Sequence, residues 1–376
     1  MALIKPIGYD PIRCKTLVET DGLSGIILTS NENVFYSTGL PVTRGQANPI
    51  LFALSNKFPP YSVIDSDGIP TPVVWGGAIG HHELWAKDTR TSFFPGGTTE
   101  ELLSLVEERF SRGSKIGVES SMPFSLAKGI QDRMKGVEMI VIDNLFENLR
   151  IVKTSEEITK LQKSLDIAEK AVKRVQDEMG RDTTVMKLVQ ESKKLIFELG
   201  GSAVDHATIA IGNSNPEILE DFGAAEKDLI ILDIGAILDG YVSDTRRLSY
   251  VGAVPGKLRD LNATMAEIVL QSGKSLSPGK TFSEICVEVE ARYREYHLEP
   301  LFLHAGHSIG IQTEESWITR DSERKIEENM VFNVELYSQY KDNGGAHVGT
   351  EDTFVVRKNG GEQISHLPHE IREVHT

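Results

Sequence analysis

The stretch Leu229-Ile-Ile-Leu-Asp-Ile-Gly-Ala-Ile-Leu-Asp-Gly-Tyr-Val-Ser-Asp244 decides the fold of the second half of the chain. Its apolar residues form two strand-like segments, and the dipeptide Asp239-Gly240 between them is a strong signal for a tight turn. The sequence therefore predicts a β-hairpin. With this dipeptide as the loop, Asp233 faces Arg246, and Asp244 is a diagonal neighbour of Asp233.

A turn shifted by one residue, to Leu238-Asp239, would place Asp233 and Asp244 directly opposite each other. In either register both carboxylates lie on one face of the hairpin, within reach of a single ion. Asp233 follows four apolar residues, so its strand is expected to be buried. Because a buried, unpaired carboxylate is costly, we expect a cation or a shared proton beside it.

Three more candidate metal ligands follow along the chain. Glu335 comes directly after an apolar run, and Glu351 lies beyond the Gly344-Gly345 turn region at an even separation from Glu335. An even separation allows both glutamates to lie on one face of a second hairpin. His307 lies in a glycine-containing segment that leaves room for close approach.

These residues form one oxygen-rich set of four carboxylates and one imidazole: Asp233, Asp244, His307, Glu335 and Glu351. Carboxylate oxygens are hard ligands, whereas a structural zinc prefers thiolates. The set therefore suits a pair of divalent ions such as Mn, Fe or Co.

The composition limits the class of protein. A chain of 376 residues is too long for one ordinary core, so we expect two domains. The net charge of −15 argues against nucleic acid as a partner, because phosphates need a basic face. Two widely spaced cysteines indicate a reducing cytosol. No apolar run approaches a membrane span, and the N-terminus has no apolar core like that of a signal peptide.

The pattern of apolar residues predicts an α/β domain over residues 1–150 and an α+β domain over residues 151–376. In the first domain it predicts a helix at Thr99–Phe110 and strands at Gly25–Leu28, Ile50–Leu54 and Lys115–Glu119. In the second, a capping box of Thr154 and Glu157 begins a long amphipathic helix. Further helices are predicted at Thr183–Leu199, Leu258–Gln271 and Phe282–Tyr296, and strands at Leu229–Ala236, Tyr241–Tyr250, Met330–Tyr337 and Thr350–Val356.

The chain resembles the pita-bread metallopeptidases, specifically the prolidase and aminopeptidase P branch with its creatinase-like N-terminal domain. The segment Asn33-Val-Phe-Tyr-Ser-Thr-Gly39 is similar to the signature of that N-terminal domain. The segment Leu149-Arg-Ile-Val-Lys-Thr-Ser-Glu-Glu-Ile158 is similar to the junction between the two domains. The family's Asp, Asp, His, Glu and Glu ligands fall in order on the set of five residues described above. The resemblance covers nearly the whole chain.

The resemblance implies two divalent ions per chain, with Mn, Co or Fe expected and Zn as a further candidate. It implies that Asp233 binds one ion and that His307 and Glu335 bind the other. Asp244 and Glu351 would bridge the two ions. Glu335 would also act as the general base toward a small substrate, by default a Xaa-Pro dipeptide. The resemblance further implies a homodimer.

Several positions depart from the pattern of the family. Glu314 stands where the family has a histidine seven residues after the metal-binding histidine, and Glu217 stands where a second active-site histidine usually follows a proline. Arg246 replaces a hydroxyl residue two positions after the second aspartate, and Gly349 replaces an arginine two positions before the last glutamate. The Pro-Gly that usually follows the first metal-binding glutamate is absent from Glu335-Leu-Tyr337.

These changes alter the charge expected in the pocket. In the peptidases the two imidazoles donate hydrogen bonds to the scissile carbonyl and to the substrate carboxylate, whereas an ionised glutamate can only accept them. Glu314 and Glu217 would therefore repel a carboxylate and leave a carbonyl unpolarised. Arg246, or a positively charged group of the substrate, is expected to balance their charge.

Three other histidines lie near these motifs. His347 precedes Glu351 by four residues, so it can share the strand face of Glu351 and replace a lost donor. Taken singly, His347, His304 and His206 are all more typical of structural histidines. We retain His347 as a catalytic candidate, together with Glu335, Glu314, Glu217 and Arg246.

Three functions are compatible with these features. The first is a dinuclear metal-dependent hydrolase of the prolidase type, acting on a peptide or amide bond in a dipeptide or another small molecule. The second is a metal-dependent hydrolase or lyase for a small metabolite, for example a cationic one, because a fold does not fix a substrate. The third is a non-catalytic binding module, which the five intact ligands argue against.

We predict that ordinary prolidase activity is weak. Reversing the preferred polarity at a charged contact should cost at least as much as truncating it, about 2–5 kcal/mol, which is roughly 30-fold or more in kcat/KM. The measurement is kcat/KM on Gly-Pro and Met-Pro with Mn, Co or Fe. Glu314→His should raise this activity. A value near that of an efficient enzyme, or a loss of activity in Glu314→His, would contradict the prediction.

Overall fold

The computed structural model describes residues 3–48, 50, 53–54, 56–86, 88–180, 182–218, 220–341 and 346–375. The chain divides into two compact units, Met1–Arg150 and Ile151–Thr376. Within the described residues, no helix is long and apolar enough to cross a membrane.

The first unit has an α/β structure. In chain order its elements are β1 (Leu3–Ile4), α1 (Pro11–Thr20), β2 (Gly25–Leu28), α2 (Asn31–Thr38), β3 (Tyr61–Asp65), β4 (Pro70–Trp75), β5 (Glu83–Leu84), β6 (Arg90–Ser92), α3 (Gly97–Arg109), β7 (Lys115–Val118), α4 (Phe124–Arg133), β8 (Glu138–Val141) and α5 (Asp143–Ile151). Six strands form one sheet in the order β6-β4-β3-β2-β7-β8. Apolar side chains of this sheet pack against α3 and α4 to form the core of the unit.

Three of the four elements that the sequence predicted in this unit are present in the structure. The strands β2 and β7 and the helix α3 are confirmed. The strand predicted at Ile50–Leu54 is wrong, because Ile50 and Ala53 are helical, while residues 51 and 52 lie outside the described residues. The side chains of Ile50 and Leu54 are exposed, so this apolar run does not supply the buried strand face that the prediction required.

The second unit is built on a large, mostly antiparallel sheet. In chain order its elements are α6 (Ser155–Glu178), α7 (Val185–Glu198), β9 (Ala203–Ile211), β10 (Leu229–Leu238), β11 (Tyr241–Val242), β12 (Thr245–Val251), α8 (Gly256–Lys274), α9 (Phe282–Glu295), β13 (His304–Ser308), β14 (Trp317–Thr319), β15 (Val331–Tyr340), β16 (Ala346–Arg357), β17 (Gly360–Gln363) and β18 (Arg372–Val374). Seven strands run in the order β11-β10-β12-β16-β15-β13-β14, and β9 pairs with β10.

Helices cover one face of this sheet. Ile230, Leu232 and Ile234 of β10 are buried in a cluster with apolar residues of α6 and α7. Because side chains alternate along a strand, Asp233 points to the opposite face. A second buried cluster joins α8 and α9 to β15 and β16. The helices therefore leave the other face of the sheet to polar side chains.

The local signals in the sequence of this unit are confirmed. Thr154 and Glu157 form a reciprocal capping box at the start of α6. In the hairpin, Asp233 faces Arg246, as predicted for a loop of Asp239 and Gly240. Both loop residues have positive φ, 51° and 88°, which is the backbone conformation of a type I′ turn.

Arg247 ties the central strands to the C-terminal segment. Its side chain is almost completely buried, and Nη2 lies 2.7 Å from Oδ1 of the buried Asp352. Nη1 donates to the main-chain oxygen of Glu351 at 2.9 Å, and Nη2 donates to that of Leu367 at 2.6 Å. These contacts hold β12 against β16 at the point where Glu351 projects to the other face.

We predict that Arg247→Met strongly destabilises the second unit. Removing Arg247 leaves the buried Asp352 carboxylate with only Gln363 Nε2 and His369 Nε2 as partners, and breaking a buried ion pair in this way typically costs about 3–5 kcal/mol. The measurement is urea denaturation followed by Trp317 fluorescence, in a background that carries Trp75→Phe and Trp85→Phe. The control is Arg320→Met, because Arg320 and Glu290 form an exposed pair 2.8 Å apart, worth less than about 1 kcal/mol. Equal losses in the two variants would contradict the prediction.

Candidate metal centre

Four charged side chains lie in one row across the sheet of the second unit. Asp233 on β10 faces Arg246 on β12, and Arg246 faces Glu351 on β16. Glu351 in turn faces Glu335 on β15. Because directly opposed residues point to the same face of a sheet, the four side chains converge on the face away from the helices.

Asp244 and His307 complete the cluster. His307 Nε2 lies 3.5 Å from Glu351 Oε1, 3.7 Å from Asp244 Oδ2 and 3.9 Å from Glu335 Oε2. Two groups offer ligand atoms within 4.8 Å of one another, Asp244 with His307 and Glu351, and Asp233 with Glu335 and Glu351. The structure thus brings together all five residues that the sequence singled out as candidate ligands.

A sixth residue, His206, lies in the same cluster and was missed as a site residue. Its Nε2 is 3.1 Å from Asp233 Oδ1 and 3.2 Å from Asp244 Oδ1. The sequence favoured a structural role because the strand β9 was not predicted. Predicting a strand at Ala203–Ile211, and its pairing with β10, would have placed His206 close to Asp233.

The electrostatics of the cluster fit divalent cations. Asp244 Oδ1 is buried and accepts no hydrogen bond from the described residues. Burial and the charge of Glu351 raise the pKa of Asp244 well above its usual value, and the same two causes raise the pKa of Glu335 to about 7. Carboxylates that share a dry site cannot all ionise unless cations compensate them. The donor set of carboxylates and imidazoles supplies the ligands that such ions prefer.

Arg246 lies inside this site with unused donors. Its guanidinium carbon is 4.0 Å from the centroid of the Tyr337 ring, and Nη1 is 3.9 Å from Asp233 Oδ2. Its Nε and Nη2 are buried and donate no hydrogen bond to any described residue. The Tyr337 hydroxyl donates to Glu335 Oε1. Arg246 therefore offers two donor nitrogens without an acceptor among the described residues, beside the carboxylate cluster.

Three of the departures noted in the sequence meet at one place. Tyr337 and Gly349 are directly opposed on β15 and β16, and the Tyr337 ring lies under Arg246. A Cβ at Gly349 would lie 2.4 Å from Tyr337 Cδ1 and 2.1 Å from the main-chain oxygen of Leu336. A side chain at position 349 is thus incompatible with this arrangement, and the aromatic ring and the arginine use the space instead.

The remaining catalytic candidates lie on the wall of a cavity of about 650 Å³ above the cluster. Glu217, Glu314 and His347 all line it, and all three are exposed. Burial and the charge of Arg246 lower the pKa of His347. Because Glu217 and Glu314 are exposed, solvent partly screens the negative charge that the sequence predicts for this pocket.

The fold and the site together define a pita-bread metallopeptidase with a creatinase-type N-terminal domain. The family model "Metallopeptidase family M24" matches residues 159–358, and "Creatinase/Prolidase N-terminal domain" matches residues 13–152. The chain belongs to metallopeptidase family M24, and it is a metallohydrolase of the prolidase-like branch. This confirms the resemblance and the fold class inferred from the sequence.

Individual relatives are distant. The Xaa-Pro dipeptidase of Pyrococcus furiosus is 26% identical over 264 residues, which are 68% of this chain and 75% of that protein. The structure of a prolidase from Thermococcus sibiricus superposes with a TM-score of 0.83 at 19% identity, covering 97% of this chain and 98% of the other. The N-terminal domain of the FACT complex subunit SPT16 from chickpea (Cicer arietinum) superposes with a TM-score of 0.71 at 16% identity, covering 97% and 98%. At these identities the structural matches show the fold alone.

We predict that Gly349→Ala destabilises the second unit by about 1–3 kcal/mol, because the added methyl group overpacks the space under Tyr337. The measurement is the urea midpoint of the second unit, read from Trp317. Gly256→Ala is the control, since a Cβ there meets no heavy atom within 4 Å and should change stability by no more than about 1 kcal/mol. A neutral Gly349→Ala would show that the ring does not exclude a side chain from this position.

Proposed function

We propose that the protein is a dinuclear metal-dependent hydrolase that cleaves an amide bond in a small substrate, and that Xaa-Pro dipeptides are poor substrates. The observation that supports this proposal is the convergence of five candidate ligands beside an arginine with two unused buried donors. The ligands favour the metal-dependent hydrolysis of its family. The arginine is absent from the family's pattern and favours a different substrate.

The assignment of the ligands follows the family. In this assignment Asp233 would hold one ion, and His307 and Glu335 would hold the other. Asp244 and Glu351 would be shared by the two ions. When bound, such ions would lower the pKa of a water molecule and polarise the substrate carbonyl. As in the family, Glu335 would also act as the general base that takes the proton of this water molecule.

Arg246 takes over the donor role in this proposal. Glu217 and Glu314 replace the imidazoles that would donate hydrogen bonds to the substrate, and both are exposed on the cavity wall. The free Nε and Nη2 of Arg246 lie in a buried site, where hydrogen bonds from a charged donor are strong. They lie on the same face as the proposed ligands, so they would bind a carboxylate oxygen of a bound substrate.

A second candidate function retains the two metal ions, but its substrate is not a peptide. Glu217 and Glu314 place negative charge on the outer wall of the cavity, and Arg246 places positive charge at its inner end. A small metabolite with a cationic group at one end and an anionic group at the other matches this polarity. A hydrolase or lyase for such a metabolite is therefore the alternative function, and its substrate carries no proline.

The organisation of the protein is proposed along the same lines. Residues 1–150 form the creatinase-like domain, and residues 151–376 form the catalytic domain. We propose a homodimer by analogy with the family. We also propose the cytoplasm as the location, because both cysteines are free, buried thiols, as expected in a reducing compartment.

The test compares three proteins reconstituted with Mn, Co or Fe: wild type, Glu335→Gln and Arg246→Met. A panel of small amides and dipeptides, with and without terminal charges, is assayed for hydrolysis. Glu335→Gln should lose roughly 10²–10⁴-fold in kcat. Arg246→Met should lose about 30-fold or more in kcat/KM on anionic substrates only.

Arg320→Met is the matched control, because Arg320 is an exposed arginine on the surface. Wild-type protein that hydrolyses none of the amides with any of the three metals would contradict the proposed hydrolase. An Arg246→Met variant that loses activity equally on charged and neutral substrates would contradict the proposed role of Arg246. The alternative function is favoured if only zwitterionic compounds without a peptide bond are turned over.

A further inference from the structure

The imidazole of His206 occupies a defined position between two of the candidate ligands. Its Nε2 lies 3.1 Å from Asp233 Oδ1 and 3.2 Å from Asp244 Oδ1. The three residues offer ligand atoms within 4.8 Å of one another. This group shares only Asp233 and Asp244 with the ligand set that the family supplies, and it places a nitrogen donor where that set has only oxygen.

The backbone is shaped to bring His206 to this position. His206 on β9 is directly opposed to Gly235 on β10, and a Cβ at Gly235 would lie 2.5 Å from His206 Cε1. Only glycine at position 235 leaves room for the ring. Because Gly235 has no side chain, the His206 imidazole can lie against β10 and reach the two aspartates.

A β-bulge places a second residue beside the ring. Gly235 pairs with His206, but the next residue on β10, Ala236, pairs with Val204, so Asp205 is the extra residue on β9. Neighbouring residues of a regular strand point to opposite faces, whereas a bulge re-aims side chains and is frequent next to active sites. As a result, Asp205 Oδ2 lies 2.9 Å from His206 Nδ1.

The Asp205 carboxylate is itself held in place. Thr313 Oγ1 donates a hydrogen bond to Asp205 Oδ2 at 2.5 Å. Asp205 is therefore positioned to accept from Nδ1–H of His206, which would leave Nε2, now hydrogen-bonded to Asp233, to offer its lone pair to an ion held by Asp233 and Asp244. A carboxylate that accepts from the outer nitrogen of an imidazole is the usual support of a metal-binding histidine, because it orients the ring and raises its basicity.

One buried carboxylate oxygen of the site lacks a hydrogen-bond donor. Asp244 Oδ1 is buried and accepts no hydrogen bond from the described residues, although His206 Nε2 is only 3.2 Å away. A buried carboxylate oxygen without a donor is costly, and a cation between it and the imidazole removes the cost. This unpartnered oxygen points to an ion independently of the histidine.

We propose that His206 is a sixth metal ligand, which binds through Nε2 the ion that Asp233 and Asp244 hold, with Asp205 and Thr313 as its supporting shell. This inference rests on the proposed dinuclear site. It gives each ion one imidazole, His206 for one and His307 for the other. Imidazole favours Zn, Fe and Co over the hard, oxygen-preferring Mn and Mg, so the ion at His206 is expected to be of the former kind.

The experiment measures metal binding instead of turnover. Metal-free protein is titrated with cobalt(II), and separately with manganese(II), by isothermal calorimetry, and the imidazole ligands of the cobalt form are counted by X-ray absorption. Wild type should bind two cobalt ions with two imidazoles in total. Asp205→Ala should weaken one of the two sites by about 10–100-fold, the cost typical of losing a supporting carboxylate.

His206→Ala should weaken the same site by more than Asp205→Ala does, leave the other site unchanged, and reduce the imidazole count by half. The loss should be larger for cobalt than for manganese. His366→Ala is the matched control, because His366 is exposed and lies outside the three ligand groups. Circular dichroism confirms that each variant is folded, and His206→Asn replaces His206→Ala if that variant is not.

The outcomes separate this inference from the proposed function. Two sites of wild-type affinity in His206→Ala, with an unchanged imidazole count, overturn the inference and leave the dinuclear hydrolase standing. Tighter cobalt binding in His206→Ala would also overturn it, because it would show that the imidazole competes with the ion as a cation. Wild type that binds no ion overturns the proposed function and the inference together.

Discussion

Repulsion between buried carboxylates is the constraint on which the second unit depends. Asp244 and Glu351 are buried, and Asp233 and Glu335 are nearly so, all on one face of the sheet. Carboxylates this close repel one another, and burial together with the charge of Glu351 raises the pKa of Asp244 and of Glu335. The sheet can present them together because its backbone ladder is held from behind by apolar helices and by the buried pair of Arg247 and Asp352. The rigidity that resists this repulsion comes from the opposite face of the sheet, where the helices and the Arg247–Asp352 pair lie.

Two adjacent arginines of β12, Arg246 and Arg247, have different roles on the two faces of this sheet. Arg246 and Arg247 point to opposite faces, as neighbours in a strand must. Arg247 is fully partnered, with a carboxylate and main-chain oxygens as acceptors, whereas Nε and Nη2 of Arg246 have no acceptor among the described residues. A partnered arginine stabilises a fold, and an unpartnered one in a cavity is available to a ligand. This difference in hydrogen bonding is the basis for giving Arg246 a role in substrate binding.

Three of the departures from the family pattern form one physical unit. Tyr337 occupies the space over Gly349, and Arg246 stacks on the Tyr337 ring with its carbon 4.0 Å from the centroid. A cation over an aromatic face is attracted by the ring quadrupole, more strongly where water is excluded. A side chain at position 349 would clash with Tyr337, and Arg246 would lack its aromatic contact without Tyr337. Together the three changes put an arginine on β12, whereas the family pattern has one on the strand that corresponds to β16. In the proposed function, such a rearrangement would change where a positive charge meets the substrate and would leave the carboxylate row in place.

The sequence by itself determined the hairpin of β10 and β12 and the face that Asp233 and Asp244 share. It also identified the five residues of the candidate ligand set. These features follow from local rules, namely the alternation of a strand and the chemistry of an Asp-Gly turn, together with a family pattern. Only the tertiary structure decided the position of His206 and the meeting of Arg246, Tyr337 and Gly349. The first depends on a bulge in β9 and its register against β10, and the second on contacts between three strands far apart in sequence. Register between non-adjacent segments is set by the packing of the whole sheet, which no local pattern encodes.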